Sequence, residues 1–337
     1  MNRKDFVQSR RDALLIRAGA RSAVDPDLHP DAAALAASGA NLLGSLREAE
    51  VATAGQPGQP VVAAGFSKGD FGHALADVLR EVVIVALRAN LHHERLCARL
   101  EVPDYRPMRF PSLAIDVSFA QANELNEFTQ ASLRATEGLS AQLRTFGRDV
   151  VISRRALVDD NMDLIGRAFK NVGAAAARLE AELVYALVES NPVLSDGEAT
   201  FAAGHSNILA AALTESSLSE ALGMLRSLVD PFGRRMNLDA SVLVVEGRLE
   251  ALARRFVRDS GLDLAVVASP WLATGRWYVL PDPDVAPILG LLRLEGTKHP
   301  VTVAPVPDSR GIDGSVFGAR LDTGVVALGR TAIRGGA

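Results

Sequence analysis

The chain of 337 residues lacks several features on which whole classes of protein depend. Its only cysteine is Cys97, which excludes an internal disulfide framework and suits a reducing cytoplasm. Apolar stretches such as VVIVAL are far too short to span a bilayer, and the N-terminus has no apolar signal core, so we expect a soluble cytosolic protein without a membrane partner. The formal charge of −4 shows no basic excess, which argues against a dedicated nucleic-acid-binding domain.

A convincing catalytic motif is also missing. The segment GFSKG, residues 65–69, matches the G-x-S-x-G nucleophile elbow and follows an apolar run, as the elbow of a serine hydrolase would. However, residues 1–59 offer no strands for the sheet that the elbow requires, and Ser67 forms a capping box with Asp70 that explains the serine structurally. We keep a serine hydrolase that uses Ser67 as a remote alternative and predict that the protein is not an enzyme.

The signals for metal and cofactor sites are weak. His93 and Cys97 would lie on one face of a helix, but two ligands do not make a zinc site, and a buried thiol is the simpler interpretation. Residues 241–269 have the strand-helix-strand order of a βαβ unit, but the turn Glu246-Gly247-Arg248 lacks the repeated glycines that let a backbone approach a pyrophosphate. The sequence also has no Walker A motif, so we predict neither a metal nor a cofactor.

The strongest positive signal is a long amphipathic helix between Asp159 and Pro192. Its apolar residues recur at alternating spacings of four and three, which places them on one face. Asp159 or Asp160 can cap the start, and Asn191 before Pro192 ends the helix because the residue before a proline disfavours the helical conformation. At 1.5 Å per residue the helix would be roughly 45 Å long, more than one compact domain usually needs. The predicted apolar face consists of Ile165, Phe169, Val172, Ala176, Leu179, Leu183 and Ala186.

The remainder of the chain divides into an N-terminal arm, an extended region and a mixed lobe. Residues 1–68 are rich in Ala, Asp, Pro and Gln and contain one weak helix, and a second helix follows the capping box. From Pro107 to Arg155 the helical period fades and β-rich segments appear, which predicts a long two-limbed extension. After Pro192 short helices and strands alternate, and HPVTVAPV and GSVFGARLDTGVVALGR predict strands with a tight turn. The predicted fold class is α+β.

This order of elements resembles that of the major capsid proteins of tailed bacteriophages with the Hong Kong 97 fold. The sequence is similar to the Mu-type major head subunit family, including the capsid part of members that are fused to a prohead protease. SKGDFGHALADVLREVV resembles the first helix of that family, and residues 145–208, from TFGRDVV to AAGHSNI, are the most similar stretch. PWLATGRWYVLPDPDVAPIL and GIDGSVFGARLDTGVVAL follow in the order of the family.

The resemblance implies a structural major capsid protein of the virion, assembled in the cytoplasm of the bacterial host. Copies would form hexamers and pentamers of an icosahedral shell that packages double-stranded DNA without sequence specificity. Portal, scaffold or protease, and decoration proteins are further expected partners. The encapsulin-type nanocompartment shell shares the fold and is the closer alternative. The implied divisions are an N-terminal arm (1–68), an arm or P-domain helix (69–104), an extended E-loop (105–153), the P-domain spine helix (154–192), an axial A-domain (193–295) and C-terminal P-domain strands (296–337).

Two charge patterns predict surfaces for such an assembly. Residues 1–21 carry a basic excess, and we expect this arm to face the shell interior, where its cations would meet DNA or a scaffold. The first limb of the E-loop is acidic and its return limb is basic, so neighbouring loops can attract one another. Some tailed-phage shells join this loop to a neighbour by a lysine-asparagine isopeptide bond, but residues 105–153 contain no lysine. The candidate residues are Arg3, Lys4, Arg10 and Arg11 in the arm and Glu124, Glu127, Arg144, Arg148 and Arg154 at the assembly interface.

Overall fold

Helices and strands alternate along the chain in the computed structural model, which describes residues 3–38, 40–43, 70–110, 112–115, 133–136, 139–159, 161–230, 232–307 and 314–336. The helices are α1 (Arg3–Arg17), α2 (Ala32–Ala37), α3 (Asp70–Arg88), α4 (Arg154–Val158), α5 (Met162–Ser190), α6 (Glu215–Ser227) and α7 (Glu250–Ser260). The strands are β1 (Cys97–Val102), β2 (Met108–Arg109), β3 (Ser112–Ile115), β4 (Leu133–Thr136), β5 (Ser140–Ala141), β6 (Arg144–Ser153), β7 (Ile208–Leu209), β8 (Ala240–Glu246), β9 (Ala265–Ser269), β10 (Trp277–Pro281), β11 (Leu289–Leu294), β12 (Val301–Val306), β13 (Gly314–Ala327) and β14 (Ile333–Gly335).

These elements form two compact units, each built from segments that are distant in the chain. The first unit consists of Met1–Leu91, Thr145–Leu179 and Thr297–Asp322. The second unit consists of His92–Arg144, Glu180–Gly296 and Thr323–Ala337. Both units mix helices with sheet, so the predicted α+β class is confirmed.

The first unit packs helices against a small antiparallel sheet. β12 pairs with the Val316–Leu321 part of β13, and β6 also pairs with β13. Leu14 of α1 and Leu79 of α3 are fully buried in the core of this unit, together with Phe169 and Phe317. The rings of Phe169 and Phe317 meet edge to face at 6.2 Å. The described part of residues 1–68 therefore contains α1, which the prediction of one weak helix did not include, because α1 buries an apolar face of its own.

Helix α5 confirms the predicted long helix, but its first residue and its buried face differ from the prediction. Its 29 residues start at Met162, and the Oδ1 atom of Asn161 accepts a hydrogen bond from the Leu164 amide at 3.3 Å, so the cap is not Asp159 or Asp160. The buried face includes Ile165 and Phe169 as predicted, but Val172 and Leu179 are only half-buried and Ala186 is exposed.

Gly173 explains why the buried face of α5 is rotated about the helix axis relative to the predicted face. A Cβ atom on Gly173 would lie 2.4 Å from the carbonyl oxygen of Val83 and 2.9 Å from the Cβ of Ala86. Helix α3 therefore approaches α5 at a position that has no side chain. Gly173 and Ala177 are buried in place of Val172 and Ala176, because small residues allow the two helices to pack closely.

The second unit contains a five-stranded sheet of order β7-β14-β10-β8-β9. β8, α7 and β9 form the predicted βαβ unit, with β8 and β9 parallel. The resemblance implies that residues 296–337 form P-domain strands; within them, β14 lies in this sheet, between β7 and β10. Gly335 permits that placement, because a Cβ atom there would overlap the indole ring of Trp277 on β10. The unit also contains β1, which runs parallel to β11, and β11 pairs with the Gly324–Ala327 part of β13.

Candidate assembly surfaces

The predicted interior arm forms helix α1 and is partly covered by the fold. The side chains of Arg3 and Lys4 lie outside the described residues, whereas Arg10 and Arg11 are half-buried. Burial lowers the pKa of the Arg10 guanidinium, although arginine remains charged under ordinary conditions.

Asp12, the next residue after Arg11, is buried. Its carboxylate accepts hydrogen bonds from the Nε2 atom of Gln8, one turn earlier on α1, and from the backbone amide of His29. Arg10 and Arg11 are therefore parts of a packed helix rather than freely exposed cations.

The described parts of the predicted two-limbed extension pair with each other through their backbones. β3 pairs antiparallel with β4, joining Ser112 to Thr136, and β2 pairs antiparallel with β5, joining Met108 to Ala141. The limbs therefore run out and back along one another, as a long hairpin does. Glu124 and Glu127, which belong to the predicted acidic limb, lie outside the described residues.

The basic return limb is exposed. Arg144 and Arg148 lie on β6, Arg154 begins α4 immediately after it, and all three side chains are exposed. Within the first unit, β6 pairs with β13, and Thr145 fixes it further by donating a hydrogen bond from Oγ1 to Asp322 Oδ1 at 2.6 Å. The predicted arginines thus lie on β6 and at the start of α4, with side chains that are exposed among the described residues.

The other chemical candidates gain no support as reactive sites. His93 lies in a 3-10 turn (His92–Leu96) and Cys97 begins β1, so the predicted helical spacing of these two residues is wrong. Cys97 is a buried free thiol, as predicted, and burial raises its pKa to about 12, which opposes formation of a thiolate. In the described ranges no three metal-ligating side chains converge on one point. Ser67 lies outside the described residues.

A buried ionic cluster in the second unit is the feature that the sequence analysis missed. Glu180 of α5 is 0% exposed and accepts a bidentate pair of hydrogen bonds from the Nη1 and Nη2 atoms of Arg293 on β11, at 2.5 and 3.1 Å. Arg293 also donates to Thr323 Oγ1 and to Glu94 Oε1, each at 3.1 Å. The Nε2 atom of His93 lies 3.3 Å from Glu180 Oε2. The sequence signal was weak: Arg293 is the one charge in the apolar strand β11, whereas Glu180 lies between Arg178 and Glu182 on the amphipathic helix α5.

The cluster is electrostatically organised around the charged form of Glu180. Burial acts to raise the pKa of this carboxyl, but hydrogen bonds from His93 and Arg293 and the charge of Arg293 outweigh burial and hold the pKa at about 2. A bidentate arginine-carboxylate pair fixes orientation as well as distance. Within the described residues these side chains form hydrogen bonds with one another, so their role is to hold α5, β11 and the 3-10 turn together.

In the described part of the chain, no helix is both long enough and apolar enough to cross a bilayer.

Comparison with known proteins identifies the family. A model of the phage capsid protein family matches residues 136–334, which is more than half of the chain. No curated protein matches. Among solved structures, the chain is similar to the virus-like particle of Pyrococcus furiosus, with a TM-score of 0.50, 10% identity, and coverage of 77% of this chain and 98% of that one.

Two further structures are similar to a smaller degree. The capsid protein of the cyanophage P-SCSP1u gives a TM-score of 0.48 and 14% identity, over 73% of this chain and 87% of that one. The holo-SrpI encapsulin of Synechococcus elongatus PCC 7942 gives 0.46 and 12%, over 72% and 86%. The Pyrococcus match supports the capsid fold that was predicted from the sequence, and the family match runs from the return limb of the extension through α5 to β14. The chain therefore belongs to the phage capsid protein family.

Proposed function

We propose that this phage capsid protein is the major subunit of a phage head, and that its copies form the hexamers and pentamers of an icosahedral shell around double-stranded DNA. The observation that carries the proposal is the family match over residues 136–334. Within the family we assign the chain to the Mu-type head subunits, on the resemblance of residues 145–208. The residues important for this function are then interfaces rather than a catalytic centre.

The exposed return limb supports a role in joining neighbouring subunits. Arg144 and Arg148 present two cations on β6, and the preceding limb of the same extension carries Glu124 and Glu127 in its sequence. We propose that the acidic limb of one copy meets the basic limb of its neighbour. Each exposed ion pair contributes only about 0–1 kcal/mol, but a shell repeats the contact at every subunit.

We propose that α1 faces the DNA. Its basic residues favour that orientation, but the structure reduces the expected strength of the contact. Arg10 and Arg11 are half-buried, and Arg21, which follows α1, forms ion pairs with Asp25 at 3.2 Å and Glu81 at 3.5 Å. We therefore expect a shallow dependence of DNA retention on salt, since only cations that contact phosphates release counterions.

Electron microscopy of the purified protein tests the proposal. Negative staining should show closed shells or capsomer rings, whereas dispersed single subunits at high concentration would contradict self-assembly. The particle contents separate the phage head from the encapsulin alternative: nuclease-protected DNA is expected in a head produced with its scaffold or protease, its portal and its packaging machinery, and a protein cargo in a nanocompartment. Production in the bacterial cytoplasm should suffice for shell formation.

A further inference from the structure

The loop between β10 and β11 forms a rigid, exposed knob, defined here as residues 282–287. Val285 is 72% exposed and follows two exposed carboxylates in the chain, those of Asp282 and Asp284. The amides of Val285 and Ala286 both donate to the carbonyl oxygen of Asp282, at 3.1 and 3.0 Å. Ala286 is buried in the core of the second unit and anchors the loop. The knob is therefore an ordered projection with an apolar tip and acidic flanks.

The same unit contains a groove at the open edge of its sheet, and the lining of this groove includes both apolar and basic side chains. The groove has a volume of about 510 Å³ and runs along β9, which is the terminal strand of the five-stranded sheet. Half-buried valine and alanine side chains of β9 supply an apolar wall, the open backbone edge of the strand adds polar surface, and His92, Arg95, Glu250 and Arg254 border it. Arg254 pairs with Glu250 at 2.8 Å, whereas the exposed Arg95 has no ion pair or hydrogen bond to any residue in the part of the chain that the structure describes.

We propose that the knob of one copy of this chain docks into the β9 groove of a second copy. The inference rests on the proposed self-assembly and assigns a subunit contact to it. The apolar tip would meet the aliphatic wall, and Asp282 and Asp284 would face Arg95 and Arg254. Among the described residues neither aspartate forms an ion pair within its own chain. Because Val285 is so exposed, the knob does not fill the groove of its own chain.

The chemistry of the two surfaces sets the type of contact. Prolines at 283 and 287 have no amide hydrogen, so the loop is poorly suited to extend the sheet by backbone pairing with β9. The contact is therefore made by side chains. It joins two different patches, which makes it heterologous, and repeated heterologous contacts generate closed rings when the rotation between copies closes. A capsomer is such a ring.

Charge reversal tests the contact in assembled protein. We expect Val285→Asp, Asp284→Arg and Arg95→Glu each to lower the yield of shells about tenfold, the effect of losing one well-placed contact. The double variant Asp284→Arg with Arg95→Glu should recover assembly. Each single variant should keep the melting temperature of the free wild-type subunit, because all three side chains are exposed. Normal shells from the single variants, or no recovery in the double variant, would overturn the contact.

Cysteine pairing provides a test that does not depend on shell yield. In a chain with Val285→Cys and Ala268→Cys, mild oxidation should produce a ladder of disulfide-linked multimers on a non-reducing gel. Either substitution alone should give none, and Val193→Cys with Ala268→Cys is the matched control with an exposed valine on another loop. If the wild-type protein forms shells but the chain with both cysteines gives no ladder, the knob contact is refuted and the proposed function is unaffected. Absence of any wild-type assembly would instead refute the proposed function.

Discussion

Replacing Glu180 by glutamine should strongly destabilise the second unit. The substitution keeps the size of the side chain but removes the charge that Arg293 faces inside the protein. Glu94 remains as a partner of Arg293, but its carboxylate is about half-exposed and makes one hydrogen bond rather than two. Removing one partner of a buried ion pair typically costs about 3–5 kcal/mol, because the remaining charge stays buried without compensation. We expect a loss in this range for Glu180→Gln.

The pKa of Glu180 gives an independent estimate of the same quantity. The folded protein holds it at about 2, below the ordinary value of 4.5. At about 1.4 kcal/mol per unit, this difference corresponds to roughly 3 kcal/mol of stability. Because the folded-state pKa is depressed, that stability is fully present above the ordinary value and is lost as the pH falls from about 4.5 towards about 2. The wild-type unfolding free energy should therefore decline across that window.

Tryptophan fluorescence is a suitable assay for this prediction. Both tryptophans, Trp271 and Trp277, belong to the second unit, so urea unfolding followed by their emission reports on the unit that contains the cluster. Glu182→Gln is the matched control, since it removes an exposed carboxylate two residues later on the same helix. A Glu180→Gln midpoint equal to that of the control, or an acid decline of equal slope in both variants, would refute the role assigned to the cluster.

Three further predictions concern packing and assembly. Gly173→Ala should lower stability by about 1–3 kcal/mol in thermal unfolding followed by circular dichroism, because the new Cβ would meet the Val83 carbonyl oxygen, whereas Gly223→Ala, on the open side of α6, should be neutral or stabilising by up to about 1 kcal/mol. Shells should dissociate to single chains in hot detergent, since residues 105–153 contain no lysine for an isopeptide link, and a covalent ladder on a reducing gel would contradict this. Glu127→Arg should reduce shell formation more than it reduces the melting temperature, and normal shells would count against pairing between the limbs.

Helix α5 illustrates how much of the fold could be predicted from the sequence. Its existence and its end at Ser190 followed from apolar periodicity and from Pro192, both of which are local signals. Its buried face differed from the predicted one because a glycine contributes nothing to a hydrophobic pattern, although the α3 backbone packs directly against Gly173. The position of β14 was missed for the same reason: the space that Gly335 leaves for Trp277 depends on a partner strand far away in the sequence.

The ionic cluster shows how little of a buried site can be predicted from the sequence. Glu180 and Arg293 are 113 residues apart. Arg293 is recognisable only as a charge within the apolar strand β11, and Glu180 is one of several charges on the amphipathic helix α5. Sequence reasoning treats such a charge as a break in the pattern, whereas the fold pairs the two charges and so makes the burial of both tolerable. The exposed arginines of the return limb were easier to find, because the contrast between an acidic first limb and a basic return limb is visible in the sequence alone.

The proposed knob contact is small, so its effect depends on how little ordering it requires. Backbone hydrogen bonds to Asp282 and the buried Ala286 already hold the loop in one conformation, and the β9 wall belongs to a paired strand. Association would therefore immobilise few side chains, which removes a cost that usually offsets much of the gain from buried surface. Each copy supplies one knob and one groove, so a ring of n copies contains n identical contacts. The last contact closes the ring within a single assembly, at a high effective concentration, so that contacts too weak to hold a dimer can hold a ring. A capsomer that is stable as a ring, from subunits that do not form dimers in dilute solution, is the behaviour that this arrangement predicts.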